Sequence, residues 1–167
     1  LAEFTLSRND PAYVGRAKEI QKAQKALEAG ECPEEAVPEL KPVMEIIKKQ
    51  FADISKENIG IGSTIFAVKP GDGSAREQAA SCQKVLGGWA KKRYRSNLIN
   101  WGMLPFLIPQ GELPFANGDY LFFPEVREAV ADKADSITGY VVKEEGLKEF
   151  QVTLGELTDD EREIILK

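Results

Sequence analysis

The chain is 167 residues long, 43% hydrophobic and 29% charged, the balance of one globular domain large enough to bury a core. Twenty-two Lys and Arg against 27 Asp and Glu leave a net charge of −5, so there is no positive excess to hold a phosphate backbone or an anionic membrane. There is no histidine, and Cys32 and Cys82 are the only cysteines, which excludes a Ser-His-Asp or Cys-His nucleophile, a zinc site of several His or Cys, and an iron–sulfur cluster held wholly by this chain.

Two cysteines so far apart, without a signal-peptide pattern, lead to the expectation of a reducing, cytoplasmic setting. No apolar run approaches the ~18–20 residues of a membrane span. Leu1 is not an initiator Met, and Glu163-Ile164-Ile165-Leu166 stops in a helical pattern, so both ends read as cut from a longer chain.

In chain order, Asn9-Asp10-Pro11 is a helix start, with Asp10 as N-cap and Pro11 at the first helical position. Val14, Ala17, Ile20, Ala23 and Leu27 keep one apolar stripe, predicting a helix from Pro11 to about Ala29, closed by Gly30. Pro33, Pro38 and Pro42 punctuate an acidic connector over 31–42. Val43, Ile46, Ile47 and Phe51 then predict a second helix, from Pro42 to about Ile54. Asn58 to Val68 is apolar and β-branched, as a buried strand is.

Lys69-Pro70-Gly71-Asp72-Gly73 reads as a loop, and Ser74 stands three residues ahead of Glu77 in a capping-box arrangement that begins a helix. A further helix is expected from about Lys91 to Trp101, ended by Gly102, followed by a strand at Met103 to Ile108. Leu113 to Phe123 is turn-rich, and Pro124 to Asp132 is a short helix. Ile137 to Val142 and Leu147 to Leu154 alternate around Glu144-Glu145-Gly146 as a β-hairpin does, and Thr158 caps a last helix.

The chemistry concentrates where the glycine loop meets its helix. Unpaired backbone N–H groups and the positive end of a helix dipole converge at such a point and attract anions. Arg76 adds a planar fork suited to a carboxylate, and Ser74 a hydroxyl. From spacing alone, Ser74 also reads as a plain N-cap and Arg76 as a surface partner of Glu77. Neither phosphate fingerprint is present: no Gly-Lys-Ser/Thr follows the loop, and Arg76 stands where G-x-G-x-x-G needs its third glycine.

Two blocks carry a resemblance. Gly71-Asp72-Gly73-Ser74-Ala75-Arg76-Glu77-Gln78-Ala79-Ala80 is followed by Leu86-Gly87, and then by Tyr94-Arg95-Ser96-Asn97-Leu98-Ile99-Asn100-Trp101-Gly102-Met103-Leu104-Pro105. In order, they resemble the swivelling C-terminal domain of the aconitase family, which typically reads G-x-G-S-S-R-E-x-A-A, a leucine-glycine, and a helix with S/T-N-L and a glycine before L-P. Ala2-Glu3-Phe4, Asp10-Pro11 and Arg16-Ala17-Lys18 are similar to the start of this domain in bacterial aconitase-like hydratases, and Leu157 to Leu166 to its last helix. Residues 11–57 are then a helical insertion within a single domain spanning 1–167, with no match from about Glu19 onward.

The resemblance implies an α/β fold: a three-layer β/β/α swivel domain with a largely parallel central sheet, residues 59–68 in its middle and the 137–154 hairpin at its periphery. It implies a hydro-lyase that removes and re-adds water on a hydroxy-carboxylic acid, with the substrate hydroxyl on a [4Fe–4S] cluster ligated outside this chain. Ser74 takes the role of the base that abstracts the α-proton, and Arg76 grips a substrate carboxylate. Gly73, Ala75 and Asn97 line the substrate site in this resemblance, with Asn97 orienting either a substrate carboxylate or a loop backbone. The implied partners are the cluster-bearing domains of a parent protein, or a large subunit. No metal is assigned to this chain's own side chains.

The chain departs from the family in three ways. Ala75 replaces the second serine of the motif, which removes a hydroxyl contact and argues against citrate as substrate. Only Gly88 to Tyr94 stand where the family has a full apolar strand, read as residues skipped rather than a lost core strand. The family's substrate arginine near the start of the domain would precede Leu1, and its role passes to neither Arg8 nor Arg16.

Lys91-Lys92-Arg93-Tyr94-Arg95 reads as a solvated helix face in an acidic chain, so neither nucleic acid nor membrane is an expected partner. Trp89, Trp101 and Cys82 are expected to pack in the core or between domains. Two other readings stay open: a separate small subunit like that of isopropylmalate isomerase, and a non-catalytic regulatory or interaction module on the same fold, which Ala75 favours.

Overall fold

The computed structural model describes residues 11–66, 95–100, 102–109 and 111–167. Helix α1 (Tyr13–Glu28) follows the apolar stripe, with Ala23 and Ala26 buried. Ala12 occupies its N-cap position without a side-chain bond, and Asp10, the expected cap, lies outside the described residues. The helix stops where Gly30 turns left-handed at φ 77°. Gly30 N–H donates to Leu27 O at 2.9 Å and Glu31 N–H to Ala26 O at 2.8 Å, the paired bonds of a Schellman ending.

The connector is more ordered than its prolines imply. Pro33 starts a one-turn helix, α2 (Pro33–Ala36), where its missing N–H is no loss, and α2 packs on α1. Helix α3 (Leu40–Gln50) begins before Pro42, which sits within the first turn, where no backbone donor is needed. It ends at Phe51, short of Ile54, and residues 52–58 are turns and irregular backbone. Helix α4 (Arg95–Asn100) falls inside the predicted span.

Strands β1 (Tyr120–Phe122), β2 (Ser136–Lys143) and β3 (Gly146–Thr153) form an antiparallel sheet in the order β1-β2-β3. In the β2–β3 hairpin Lys143 pairs with Gly146, leaving Glu144 and Glu145 as the turn. Period-2 alternation sends Ile137, Gly139 and Val141 to one face, with their cross-strand partners Val152, Phe150 and Lys148. The opposite face carries Tyr140 and Val142, with Phe122 and Tyr120 of β1 beside them.

Among the described residues both faces of this sheet are covered by helices. On one face α3 brings Ile47, Val43 and Ile46 onto Phe122, Val142 and Leu147, with Phe51 edge-on to Phe122 at 5.1 Å and to Tyr140 at 5.3 Å. The other face carries the main core, where Val141, Phe150 and Val152 meet Ile99 of α4, Leu104, Leu154 and Leu157. Helices α5 (Val126–Ala131) and α6 (Asp159–Leu166) close that side through Val130, Ile165 and Leu166. The capping box of α6 forms as predicted: Thr158 Oγ1 accepts from Glu161 N–H at 3.2 Å, and Glu161 Oε2 accepts from Thr158 N–H at 3.0 Å.

Two predicted strands form no ladder among the described residues. Residues 59–66 are extended there without a described strand partner, and the three strands among the described residues are antiparallel, not parallel. The segment nevertheless alternates as a strand does: Ile59, Ile61, Ser63 and Ile65 are half-buried, while Gly60, Gly62, Thr64 and Phe66 are exposed. The apolar β-branched composition encodes extended backbone and a buried side, and among the described residues Ile61 packs on the cluster of Ala23, Val37 and Leu40 while Phe66 meets Phe115 edge-on at 6.1 Å. From Met103 to Ile108 only Leu107 pairs, bridging Thr153 through two 2.8 Å bonds. Leu104 and Pro105 are fully buried, so that run serves the core rather than the ladder.

One ion pair gives the fold a pH dependence. Asp119 accepts Ala116 N–H at 2.8 Å and Lys143 Nζ at 2.6 Å, and these bonds hold its carboxyl below the usual carboxylate range. A depressed folded-state pKa contributes stability that is complete above the unfolded value, about 4, and is lost as pH falls through the folded value. Thermal midpoints of the wild type and Asp119→Asn should therefore differ at pH 7 and converge as pH falls below about 4. A gap unchanged from pH 7 to pH 2 would contradict this.

Candidate functional site

Gly73, Ser74, Ala75 and Arg76 lie outside the described residues, as do Cys82, Leu86-Gly87, Trp89, Lys91 to Tyr94 and Trp101. Asn97 falls in the backbone of α4. The structure therefore describes the frame that meets the candidate site from both sides in sequence.

Downstream, the second block of the resemblance has a definite local structure. Leu98 and Ile99 on α4 are fully buried, which fixes the rotation of the helix that carries Asn97. Gly102 then turns left-handed at φ 70°, its N–H donating to Ile99 O at 2.7 Å while Met103 N–H donates to Leu98 O at 3.1 Å. Only glycine takes that backbone without a Cβ penalty, so the helix, glycine and Leu-Pro order of the block corresponds to helix, stop and buried strap.

Upstream, residues 59–66 run along the flank of α1, ahead in sequence of the Gly71-Asp72-Gly73 motif. Ile61 N–H donates to Gln24 Oε1 at 2.8 Å, and Tyr13 Oη lies 3.1 Å from Ser63 Oγ. Lys56 Nζ reaches Gly30 O at 2.8 Å, where the chain leaves α1. Ile61 also packs with Ile20 on the cluster of Ala23, Val37 and Leu40. Burial raises the Tyr13 hydroxyl above its ordinary pKa, with the Ser63 bond and the Arg16 charge pulling the other way. The phenol therefore stays protonated at neutral pH and acts as a tie, not a base.

Sequence reasoning missed Tyr13, Gln24 and Ser63. A signal was present for one of them: Gln24 interrupts the apolar stripe of α1 between Ile20 and Leu27, and a polar group there needs a partner. Gln24 Nε2 also donates to Glu28 Oε1 at 3.1 Å, so both ends of its amide are used.

Among the described residues no group of three or more His, Cys, Asp or Glu is placed to hold a metal ion, and Cys32 is exposed. With two cysteines and no histidine, the chain's own side chains do not fit a four-iron cluster. A shallow groove beside the hairpin turn, lined by Ile46, Lys49, Glu144, Glu145 and Leu147, contains none of the candidate residues. No helix among the described residues is long and apolar enough to cross a membrane. No protein-family model, curated protein or solved structure matches this chain.

Proposed function

We propose that this chain is the swivel-type domain of an aconitase-like hydro-lyase and supplies a serine base and an arginine clamp to an active site completed elsewhere. The observation that carries the reading is the order of two motifs, Gly71 to Ala80 and Tyr94 to Pro105. The helix, left-handed glycine and buried Leu104-Pro105 of the second block support it, as does the extended segment that enters the first.

In this reading Arg76 binds a substrate carboxylate through its planar fork, and that contact sets the acidic C–H against Ser74. Ser74, as the alkoxide, takes the proton. The electron pair released forms the double bond, and the hydroxyl leaves from the adjacent carbon. An alkoxide near neutral pH needs fixed positive charge beside it, which Arg76 and the helix N-terminus read from the sequence supply. Departure of the hydroxyl falls to groups outside this chain, and the [4Fe–4S] cluster of the resemblance belongs with them.

Ala75 favours a second reading, a module that keeps the fold without turnover. Anaerobic reconstitution of the complete protein with iron and sulfide, followed by assay of cis-aconitate and related unsaturated acids for hydration, separates the two. Turnover is expected with at least one acid. Its absence with all of them would leave the non-catalytic module. Copurification of a separate cluster-bearing large subunit would instead identify the isopropylmalate isomerase-like arrangement.

A further inference from the structure

We propose that Asn117 is a modification site: its side-chain amide condenses spontaneously with the backbone nitrogen of Gly118 and is converted to aspartate and isoaspartate, which releases the turn ahead of β1. Asn117-Gly118 is the one Asn-Gly pair in the chain, and both residues are exposed. They are the middle of a four-residue turn in which Asp119 N–H donates to Ala116 O at 3.2 Å, with Gly118 left-handed at φ 96°. Glycine is suited to that position because it takes the backbone without a Cβ penalty. The same lack of a side chain leaves the Gly118 nitrogen open to approach: a Cβ built there would meet nothing within 4 Å.

No hydrogen bond among the described residues holds the Asn117 side-chain amide or the Gly118 N–H. Asn58 is the contrast. Its Oδ1 accepts Ser55 N–H at 2.8 Å, its Nδ2 donates to Asp53 O at 2.8 Å, and β-branched Ile59 follows it. Both ends of that amide are tied, and the next backbone nitrogen is crowded by a branched side chain.

In the first step the Gly118 nitrogen gives its proton to a solvent base and attacks Asn117 Cγ. The bond from Cγ to Nδ2 breaks, and Nδ2 leaves as ammonia with a proton from water, which closes a five-membered succinimide. Water then opens the ring. Cleavage between Cγ and the nitrogen gives aspartate on an unaltered main chain. Cleavage between the Asn117 carbonyl carbon and the nitrogen gives isoaspartate, whose main chain runs through Cβ and Cγ and is one carbon longer. Either route exchanges an amide for a carboxylate and ammonia, needs no oxidant or cofactor, and is independent of the hydro-lyase reading.

The longer main chain cannot keep the closing bond of the turn. With it goes the placement of Asp119, whose Oδ2 accepts Ala116 N–H at 2.8 Å and whose Oδ1 accepts Lys143 Nζ of β2 at 2.6 Å. Tyr120, the first residue of β1, follows directly.

The test ages the full chain in warm, mildly alkaline buffer, folded and in urea, and maps its peptides by mass spectrometry, with enzymatic methylation of isoaspartyl groups as a second readout. The Asn117 peptide of folded protein should gain the mass of an acid and accept methyl groups, at a rate within about tenfold of the unfolded chain's, as expected of a turn that opens at little cost. The Asn58 peptide of folded protein should keep its amide, and Asn117→Gln should abolish the methylation. The separated isoaspartyl form should melt about 4–8 °C below fresh protein, the loss of about two net hydrogen bonds. Asn117→Asp, which has the charge but not the extra carbon, should lose little. An Asn117 amide that persists in folded protein while urea-unfolded protein loses it, or modification of Asn58 at the same rate, would overturn the site. Isoaspartyl protein that melts together with fresh protein would overturn the release of the turn.

Discussion

Ser74→Ala should reduce kcat for hydration by about 10²- to 10⁴-fold, the range a positioned general base contributes, with little change in substrate affinity. The two effects separate because the roles do. In the proposed mechanism Ser74 acts on the proton in flight, a contact made in the transition state, whereas Arg76 holds a carboxylate before, during and after the reaction. Arg76→Lys keeps the charge but loses the two-pronged geometry, so it should raise KM more than it lowers kcat. If Ser74 were only a helix cap, its removal would cost about 1 kcal/mol of stability and leave the kinetics of the folded protein unchanged. Thermal midpoint and kcat measured on one preparation distinguish a cap from a base.

Gly139→Ala should be the most damaging small substitution in the described core. A Cβ on Gly139 would lie 2.5 Å from Phe123 Cε1 and 2.8 Å from Phe150 Cζ, inside van der Waals contact. Neither ring can withdraw easily. Phe123 meets Phe150 edge-on at 5.7 Å and stacks on Phe106 at 4.6 Å, while Phe150 is also edge-on to Phe115 at 5.6 Å. Overpacking of this kind costs about 1–3 kcal/mol or more, against a gain of roughly 0.5–1 kcal/mol from stiffening the unfolded chain. The net loss should be about 2 kcal/mol, read as a fall in thermal midpoint of about 4–8 °C. Phe123→Leu in the same chain should recover part of it, because the two sites share one volume. Equal stability of Gly139→Ala and wild type would mean that the aromatic cluster is looser than these distances.

The elements whose signals are local were the ones the sequence made legible. The stripe of α1, the Gly30 and Gly102 stops, the hairpin around Glu144-Glu145 and the Thr158 capping box depend on residues within a few positions of one another. Strand assignments failed where pairing is decided far away. Ile59 to Phe66 has the composition and alternation of a strand, but backbone partners cannot be read from its own residues, and Gln24, thirty-seven positions upstream, holds Ile61 instead. Pro33 and Pro42 were misleading for the opposite reason. Each falls in the first turn of a helix, where proline is tolerated, rather than breaking a connector.

Of the candidate site, residue types and order were legible and geometry was not. Ser74, Ala75, Arg76 and Gly73 rest on motif order alone, and Asn97 is placed only by the backbone of α4. Tyr13 and Ser63 escaped notice because a hydroxyl pair fifty positions apart leaves no trace in periodicity. The absence of histidine only excludes mechanisms; the proposal of a serine base comes from the motif order around Ser74.

The most direct measurement is solvent exchange of the substrate's α-proton, followed by NMR in D2O with the complete, cluster-loaded protein and a hydroxy acid that it dehydrates. Wild-type protein should carry deuterium into the α position, and Ser74→Ala should fall to the background rate while still binding the acid. Exchange at the wild-type rate in Ser74→Ala would contradict the assignment of the base to this chain.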